Sequence, residues 1–306
     1  MRKKIFFSML LLFTSVVTQA QDTDNQYGAD LLMPGTEAPD FQISKKESTG
    51  IPSRLSDLRG TYVLLDFWAS WCPDCRKDIP TLKEIAKNYA GKLAIVSQSF
   101  DTDTANWKNC IKNYGMENLA WFHSSELKKW KSETTVDSLY HVNWIPTLYL
   151  IDPEGKVVLG TVMIDKMKAK LNELDKNGLL KQTITMPRYK GDKTSNSIFK
   201  FLVANLHYPV EAMEYGITGK VRISFIVNTD GKLDSIKTRK VEITSYDKRL
   251  TKKINKVELS QAVRVAAKAF SDEGMRVVSK MGDWEPCKVG NKKMRVSYSL
   301  PLTFRM

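Results

Sequence analysis

Two cysteines carry the chemistry this sequence most plainly offers. Cys72 and Cys75 sit three positions apart in Trp71-Cys72-Pro73-Asp74-Cys75. The stretch follows the apolar run Tyr62-Val63-Leu64-Leu65-Asp66-Phe67-Trp68 and opens a segment of helical periodicity. At a strand-to-helix junction this spacing makes a redox dithiol. One thiolate can attack a foreign disulfide, and the other can resolve the mixed disulfide that results. Unpaired backbone N–H groups and the positive end of the helix dipole favour a thiolate at the first cysteine. As a structural staple the pair would achieve little, because the loop it closes is tiny.

Resolving a mixed disulfide means deprotonating Cys75, which burial opposes. A nearby carboxylate of raised pKa could take that proton. Asp66 is the one charge in an otherwise apolar strand, and Asp78 lies three residues past Cys75. Asp66 is favoured. The bland alternatives are a satisfied buried polar group for Asp66 and a helix-surface acid for Asp78. Asp74, between the cysteines, sets a negative charge against a Cys72 thiolate. A less stabilised thiolate belongs to a less oxidising couple, so a reductase or isomerase is expected. Cys110 reads as a small core residue and His123 as a surface or packing residue, since no second His or Cys stands at metal spacing. No metal and no cofactor beyond the Cys72–Cys75 disulfide are expected.

The elements around the dithiol read in the order β-α-β-α-β-β-α. Gln21 to Leu32 is a polar, flexible lead, and Pro34 to Phe41 an extended opening. Ile51 to Leu58 reads as a short strand and turn. Tyr62 to Trp68 is nearly continuous in apolar residues, as a strand buried on both faces should be. Pro73 suits a first helical turn, and Ile79, Leu82, Ile85, Ala86 and Tyr89 recur at helical spacing. Leu93 to Ser97 forms the second strand. Asp101 to Thr104 caps a helix carrying Trp107, Cys110, Ile111 and Tyr114. Trp121 and Phe122 fall in a third strand. Thr147–Ile151 and 156–161 form a hairpin about Asp152-Pro153-Glu154-Gly155, and Asp165 to Leu179 is an amphipathic helix. The domain spans 34–180, followed by a polar linker at 181–197 and a second domain at 198–306. There a helix over 198–206 precedes a hairpin through Asn228-Thr229-Asp230-Gly231. A helix over 259–270 and a final strand over 296–304 complete it. Cys287 falls in a loop, either free or paired with Cys110.

The chain has 306 residues and a net charge of +13. That charge is one-sided: residues 1–180 carry 22 basic and 22 acidic side chains, and residues 181–306 carry 25 and 12. The asymmetry supports a domain break near 180. The first twenty residues have the form of a secretory signal, with Arg2, Lys3 and Lys4 before an apolar core and cleavage after Ala20. Their apolar run is too short to span a membrane. In an exported protein the basic half suits a solvated face, an anionic envelope surface or an acidic partner, and nucleic acid is not expected. Periplasmic localisation follows.

Residues 34–180 resemble the TlpA/ResA-like branch of the thioredoxin superfamily. The resemblance rests on Pro34-Gly35, Ala38-Pro39-Asp40-Phe41, Leu55, Leu58-Arg59-Gly60, the run Leu65 to Cys75, Asp78-Ile79-Pro80 and Ile145-Pro146-Thr147. It implies an α/β thioredoxin-like domain and thiol-disulfide exchange. Cys72 would be the exposed attacking thiol, Cys75 the shielded resolving thiol and Asp66 the aspartate beneath them. Pro146 would be a cis-proline facing the dithiol, and the backbone of Ile145 would meet the substrate, with Trp71 and Pro73 lining the approach. Substrates would be protein thiols and disulfides, and a membrane-linked thiol would supply electrons.

Residues 198–306 resemble the C-terminal domain of TonB-type energy transducers, a smaller α+β fold. The matching residues are Tyr208-Pro209, Ala212, Gly216, Gly219, Val221, Phe225, Val227, Gly231, Ala262, Trp284-Glu285-Pro286, Gly290, Val296-Ser297-Tyr298, Pro301 and Phe304. The sequence shows no proline-rich spanner or membrane anchor, and Ser260 stands where the family carries an acid, so energy transduction is not expected. Binding of an envelope protein, by strand addition at a sheet edge, or a structural role remains. The competing reading of the whole chain is a non-enzymatic envelope scaffold with a redox-inert thioredoxin-like domain. A peroxiredoxin-type peroxidase is disfavoured by the Trp-Cys-x-x-Cys spacing.

Overall fold

A computed structural model describes residues 23–44, 52–117, 120–131 and 136–305. The signal-peptide reading of residues 1–20 lies outside them. The described residues divide into two compact units. The first takes them from Met1–Lys46, Pro52–Ile184 and Val289–Lys292, and the second from Thr185–Lys288 and Lys293–Met306. No described helix is long and apolar enough to cross a membrane.

The first unit is built on β1 (Tyr62–Trp68), α1 (Pro73–Asn88), β2 (Leu93–Ser99), α2 (Thr104–Tyr114), β3 (Trp121–Ser125), β4 (Thr147–Ile151), β5 (Val157–Thr161) and α3 (Ile164–Lys176). The sheet order is β3-β2-β1-β4-β5. β1 pairs in parallel with β2, as β2 does with β3. β1–β4 and β4–β5 are antiparallel. Every residue of β2 and β4, and every residue of β1 after Tyr62, is buried. The near-continuous apolar runs reflect that two-sided burial. α2 starts where expected, because Asp103 accepts the Asn106 N–H at 2.6 Å.

Several expectations for this unit need correction. Leu55–Leu58 is a 3₁₀ turn rather than a strand, because the Asp57 carboxylate takes the N–H groups of Ser53 and Arg54 at 2.9 and 3.2 Å. A short helix at Val136–Leu139 had no sequence signal strong enough to be read. Tyr114 is 39% exposed and Cys110 only half-buried, so the α2 face is less of a core face than its spacing implied. The lead before residue 33 is docked from residue 23 onward, not flexible. Asp24 accepts from the Val162 N–H and the Thr161 hydroxyl, both at 2.9 Å, and pairs with Lys166. Tyr27 stacks on Trp144 at 4.0 Å, and Leu31 is buried. Polar composition concealed this docking because the contacts are made with residues far along the chain.

The second unit is a three-stranded antiparallel sheet with one long helix across it. Its main elements are α4 (Asn196–Asn205), β6 (Thr218–Val227), β7 (Leu233–Ser245), α5 (Lys256–Ser279) and β8 (Val296–Phe304), with the strands ordered β8-β6-β7. Alternating residues of β6 and β8 bury Val221, Ile223, Phe225, Leu300, Leu302 and Phe304 against Ala266, Phe270 and Val277 of α5. Phe270 stacks on Phe304 at 4.4 Å. α5 is twice the expected length. Its capping box at Asn255 and Glu258 starts it earlier, and Gly274 does not stop it. A Cβ there would lie 2.9 Å from Ile223 Cδ1, so the glycine permits close approach to the sheet. The proposed linker is ordered in part. Arg188–Tyr189 pairs with Trp284–Glu285, and Tyr189 is buried against Trp284. Cys287 lies buried in a short strand, not a loop, and both it and Cys110 are free thiols rather than partners.

Burial raises the Asp24 pKa, but Lys166, the Val162 N–H and the Thr161 hydroxyl outweigh it and hold the carboxyl below its usual range. Such a group contributes stability above its unfolded pKa and loses it as pH falls through the folded one. Asp24→Ala is therefore expected to cost about 1–3 kcal/mol at pH 7 and less at pH 3. Urea unfolding at both pH values checks this; an equal loss at each would overturn the electrostatic account.

Candidate active site

The chain leaves β1 at Trp68 and enters α1 at Pro73, so the dithiol forms on a four-residue junction. Cys72 is the N-cap of α1, and its Sγ accepts the Cys75 N–H at 3.1 Å. Pro73 occupies the first turn, where its missing N–H leaves no bond unmade. The two cysteines are joined in a disulfide.

Two side chains hold the junction. The Asp101 carboxylate, at the end of β2, accepts from the Ser70 N–H at 2.9 Å, the Ser70 hydroxyl at 2.5 Å and the Ser99 hydroxyl at 2.6 Å. Arg76, one turn into α1, donates to the Ser70 carbonyl at 2.6 Å. Asp101 is buried. In the sequence it stood in an Asp-Thr-Asp-Thr cluster that signalled only a helix cap, and nothing local linked it to Ser70.

β4 supplies the facing wall. Its register sets Thr147 opposite Phe67, so the residues preceding β4 run beside those following β1. Ile145–Pro146 is a cis peptide, and the Ile145 carbonyl oxygen lies 3.8 Å from Cys72 Sγ. Thr147 donates its hydroxyl to the Trp144 carbonyl at 2.7 Å and closes this turn.

The carboxylates differ in setting. Asp66 is buried in β1 and accepts from the Ser97 hydroxyl at 2.7 Å. Burial pushes it up to about 7, with the Asp78 charge adding to the rise and Ser97 opposing it. Asp78 is one turn past Cys75, on the same side of α1. Burial, then the charges of Asp165 and Asp74, push it up to about 6 against the pull of Lys77. Asp74 is exposed and paired with Lys77 at 2.7 Å, so its charge is partly met.

The expected exposure of Cys72 is corrected: it is 5% exposed and Cys75 3%. The carbonyl of Ile145 and the helix start enclose the oxidised pair. Ile145 and Pro146 are buried as well, and Trp71 and Pro73 face solvent. Trp71 leans on Trp130 at 6.3 Å, and Trp130 stacks on Phe100 at 5.7 Å. Lys131 Nζ sits 4.8 Å above the Trp130 ring. This aromatic wall had no sequence signature, because its three members come from separate connecting segments. His123 is a packing residue: it stacks on Trp121, contacts the Met116 carbonyl, and burial lowers its pKa.

Residues 60–157 match a family model described as thioredoxin-like, and residues 204–245 match the C-terminal region of Gram-negative bacterial TonB proteins. The chain is 31% identical to thioredoxin-like protein YneN of Bacillus subtilis (strain 168), across 46% of this chain and 80% of that one. It is 30% identical to thiol-disulfide oxidoreductase ResA of the same organism, across 43% of this chain and 68% of ResA. The chain belongs to the thioredoxin-like thiol-disulfide oxidoreductases. ResA of Oceanobacillus iheyensis is 29% identical across 55% of this chain and 86% of that relative. The thioredoxin-like match opens two residues before β1 and closes on the first residue of β5, so it takes in the sheet's first four strands and the junction that carries this disulfide.

Asp101→Ala would leave three donors at the junction without their acceptor. A loss of about 2–4 kcal/mol is expected, with Asp101→Asn milder because its amide oxygen still accepts. Guanidinium unfolding of the oxidised protein, followed by tryptophan fluorescence, measures both. Wild-type midpoints in both variants would show that the clamp does not hold the junction.

Proposed function

We infer that this oxidoreductase is exported, works in the reducing or isomerising direction, and uses Cys72 and Cys75 on protein substrates. The observation that carries the reading is the Cys72–Cys75 disulfide capping α1, with the Ile145 carbonyl 3.8 Å from Cys72 Sγ. In the reduced enzyme a Cys72 thiolate attacks a client disulfide and expels one client sulfur as a thiolate. Cys75 then loses its proton to Asp66, attacks Cys72 Sγ and releases the second client sulfur. Two electrons pass to the client, and the Cys72–Cys75 bond forms. Trp71 and Pro73 meet the client on the open side, and Ile145–Pro146 line the other. Asp78 acts as the secondary acid.

The direction rests on Asp74, whose charge opposes a Cys72 thiolate and so favours a less oxidising couple. Its exposed pairing with Lys77 offsets only part of that, since such pairs are weak. Export to the periplasm is supported by the form of residues 1–20 and by the TonB-like match. A membrane-linked thiol would return electrons. The second unit would dock an envelope protein: among the described residues β7 and β8 are the outer strands of their sheet, the positions that strand addition uses. A redox-inert scaffold is disfavoured, because the cysteines, Asp66 and the cis-proline all stand in place.

Insulin reduction with dithiothreitol, alongside the midpoint potential, tests the reading. The wild type should show a two-electron couple and turnover, and Cys72→Ser should show neither. A wild type with both thiols accessible and no turnover would sink it. Asp66→Asn should slow mixed-disulfide resolution by about 10²-fold. It should also remove the fall in rate expected in the wild type as pH drops through about 7 and the carboxylate protonates.

A further inference from the structure

Asp66 does not meet Ser97 in isolation. On adjacent strands Asp66, Ser97 and His123 stand directly opposite one another. Trp121 lies two residues before His123, and so on the same face of β3. The Trp121 Nε1–H donates to Ser97 Oγ at 2.9 Å, and the Ser97 hydroxyl donates to Asp66 Oδ2 at 2.7 Å. All three residues are buried: Ser97 is 0%, Asp66 2% and Trp121 5% exposed.

The chemistry of the three groups gives this line one direction. An indole N–H can only donate, so Ser97 Oγ must be the acceptor there. Its single proton is then left for the carboxylate. We propose that Ser97 and Trp121 are positioning residues for the proton transfer at Asp66, the indole orienting the serine hydroxyl so that it steadies the ionised carboxylate. This rests on the acid–base role given to Asp66 above.

The other groups around Asp66 leave that task to Ser97. Across β1, its partner on β4 is the apolar Leu148. α1 contributes Asp78, whose charge disfavours a second carboxylate, and Asp165 at the start of α3 acts on Asp78 in the same sense. His123, opposite Ser97, is held towards its neutral form by burial. A hydrogen bond to the ionised form therefore works against both burial and like charge. Without it the ionised fraction at neutral pH would fall, and with it the share of molecules able to accept the Cys75 proton.

The test is a ¹³C NMR titration of the Asp66 carboxyl in the oxidised full chain, paired with the pH profile of dithiol oxidation in the reduced one. Ser97→Ala should raise the Asp66 midpoint by about one unit and move the acid limb of the rate profile upward with it. Trp121→Phe keeps the hydroxyl but frees its rotation, and should give a smaller rise of the same sign. Ser97→Thr, which restores the donor, should return the midpoint towards wild type. Near-UV circular dichroism establishes that each variant is folded. Midpoints unchanged in both folded Ser97→Ala and Trp121→Phe would overturn the proposal. A pH–rate profile unchanged in Asp66→Asn would instead overturn the acid–base role of Asp66, and the proposal with it, whatever the NMR midpoints show.

Discussion

Cys72 ends one element and begins another, and most of the first unit follows from that double duty. To cap α1 it must keep an extended backbone and offer its sulfur to the Cys75 N–H. To react, that same sulfur must be held where a client can reach it. A four-residue junction between a buried strand and a helix satisfies both only if it cannot swing. Asp101 and Arg76 grip Ser70 from two elements, and the antiparallel register of β4 lays Ile145 across the sulfur. The sheet order is what brings these three sources together, since β2 and β4 flank β1 on either side.

The same burial that steadies the junction shifts the carboxyls of this unit. A carboxylate in a fully buried strand loses hydration that nothing inside the strand can replace. Asp66 responds by titrating near neutrality rather than near 4. Asp78, less buried and ringed by acids, is raised as well. Both carboxyls are thereby shifted towards the neutral form, one in β1 and the other one turn past Cys75. The Asp78 charge adds to the rise at Asp66, though burial is the larger cause.

The second unit obeys a different logic. Its sheet buries one face against α5 and leaves the other wet, so β6 and β8 alternate where β1, β2 and β4 do not. Phe270, Phe304 and Ile223 make the contact, and Gly274 lets the helix close onto it. Tyr189 and Trp284, far apart in the chain, complete this core. That is why a polar, basic stretch that reads as a linker is instead partly folded.

Much of the site was legible before any coordinates. The Cys-x-x-Cys spacing and the lone acid of β1 are short-range patterns that pointed to Cys72, Cys75 and Asp66, and the family resemblance pointed to Pro146, whose peptide bond is cis. The apolar periodicities located β1, α1, β4 and α3 because two-sided and one-sided burial leave different spacings in the chain. What sequence could not show was everything made by residues distant in the chain. The clamp of Asp101 on Ser70 spans 31 positions, Trp121 reaches Ser97 across 24, and Asp24 meets Val162 across 138. None of these residues differs by type from a surface cap, a core aromatic or a flexible lead. The exposure of Cys72 was misjudged for the same reason, since the Ile145 carbonyl beside it comes from the turn before β4, 73 positions along the chain. Local spacing determined which residues could do the chemistry; only the packing of distant strands decided which partners would hold and bury them.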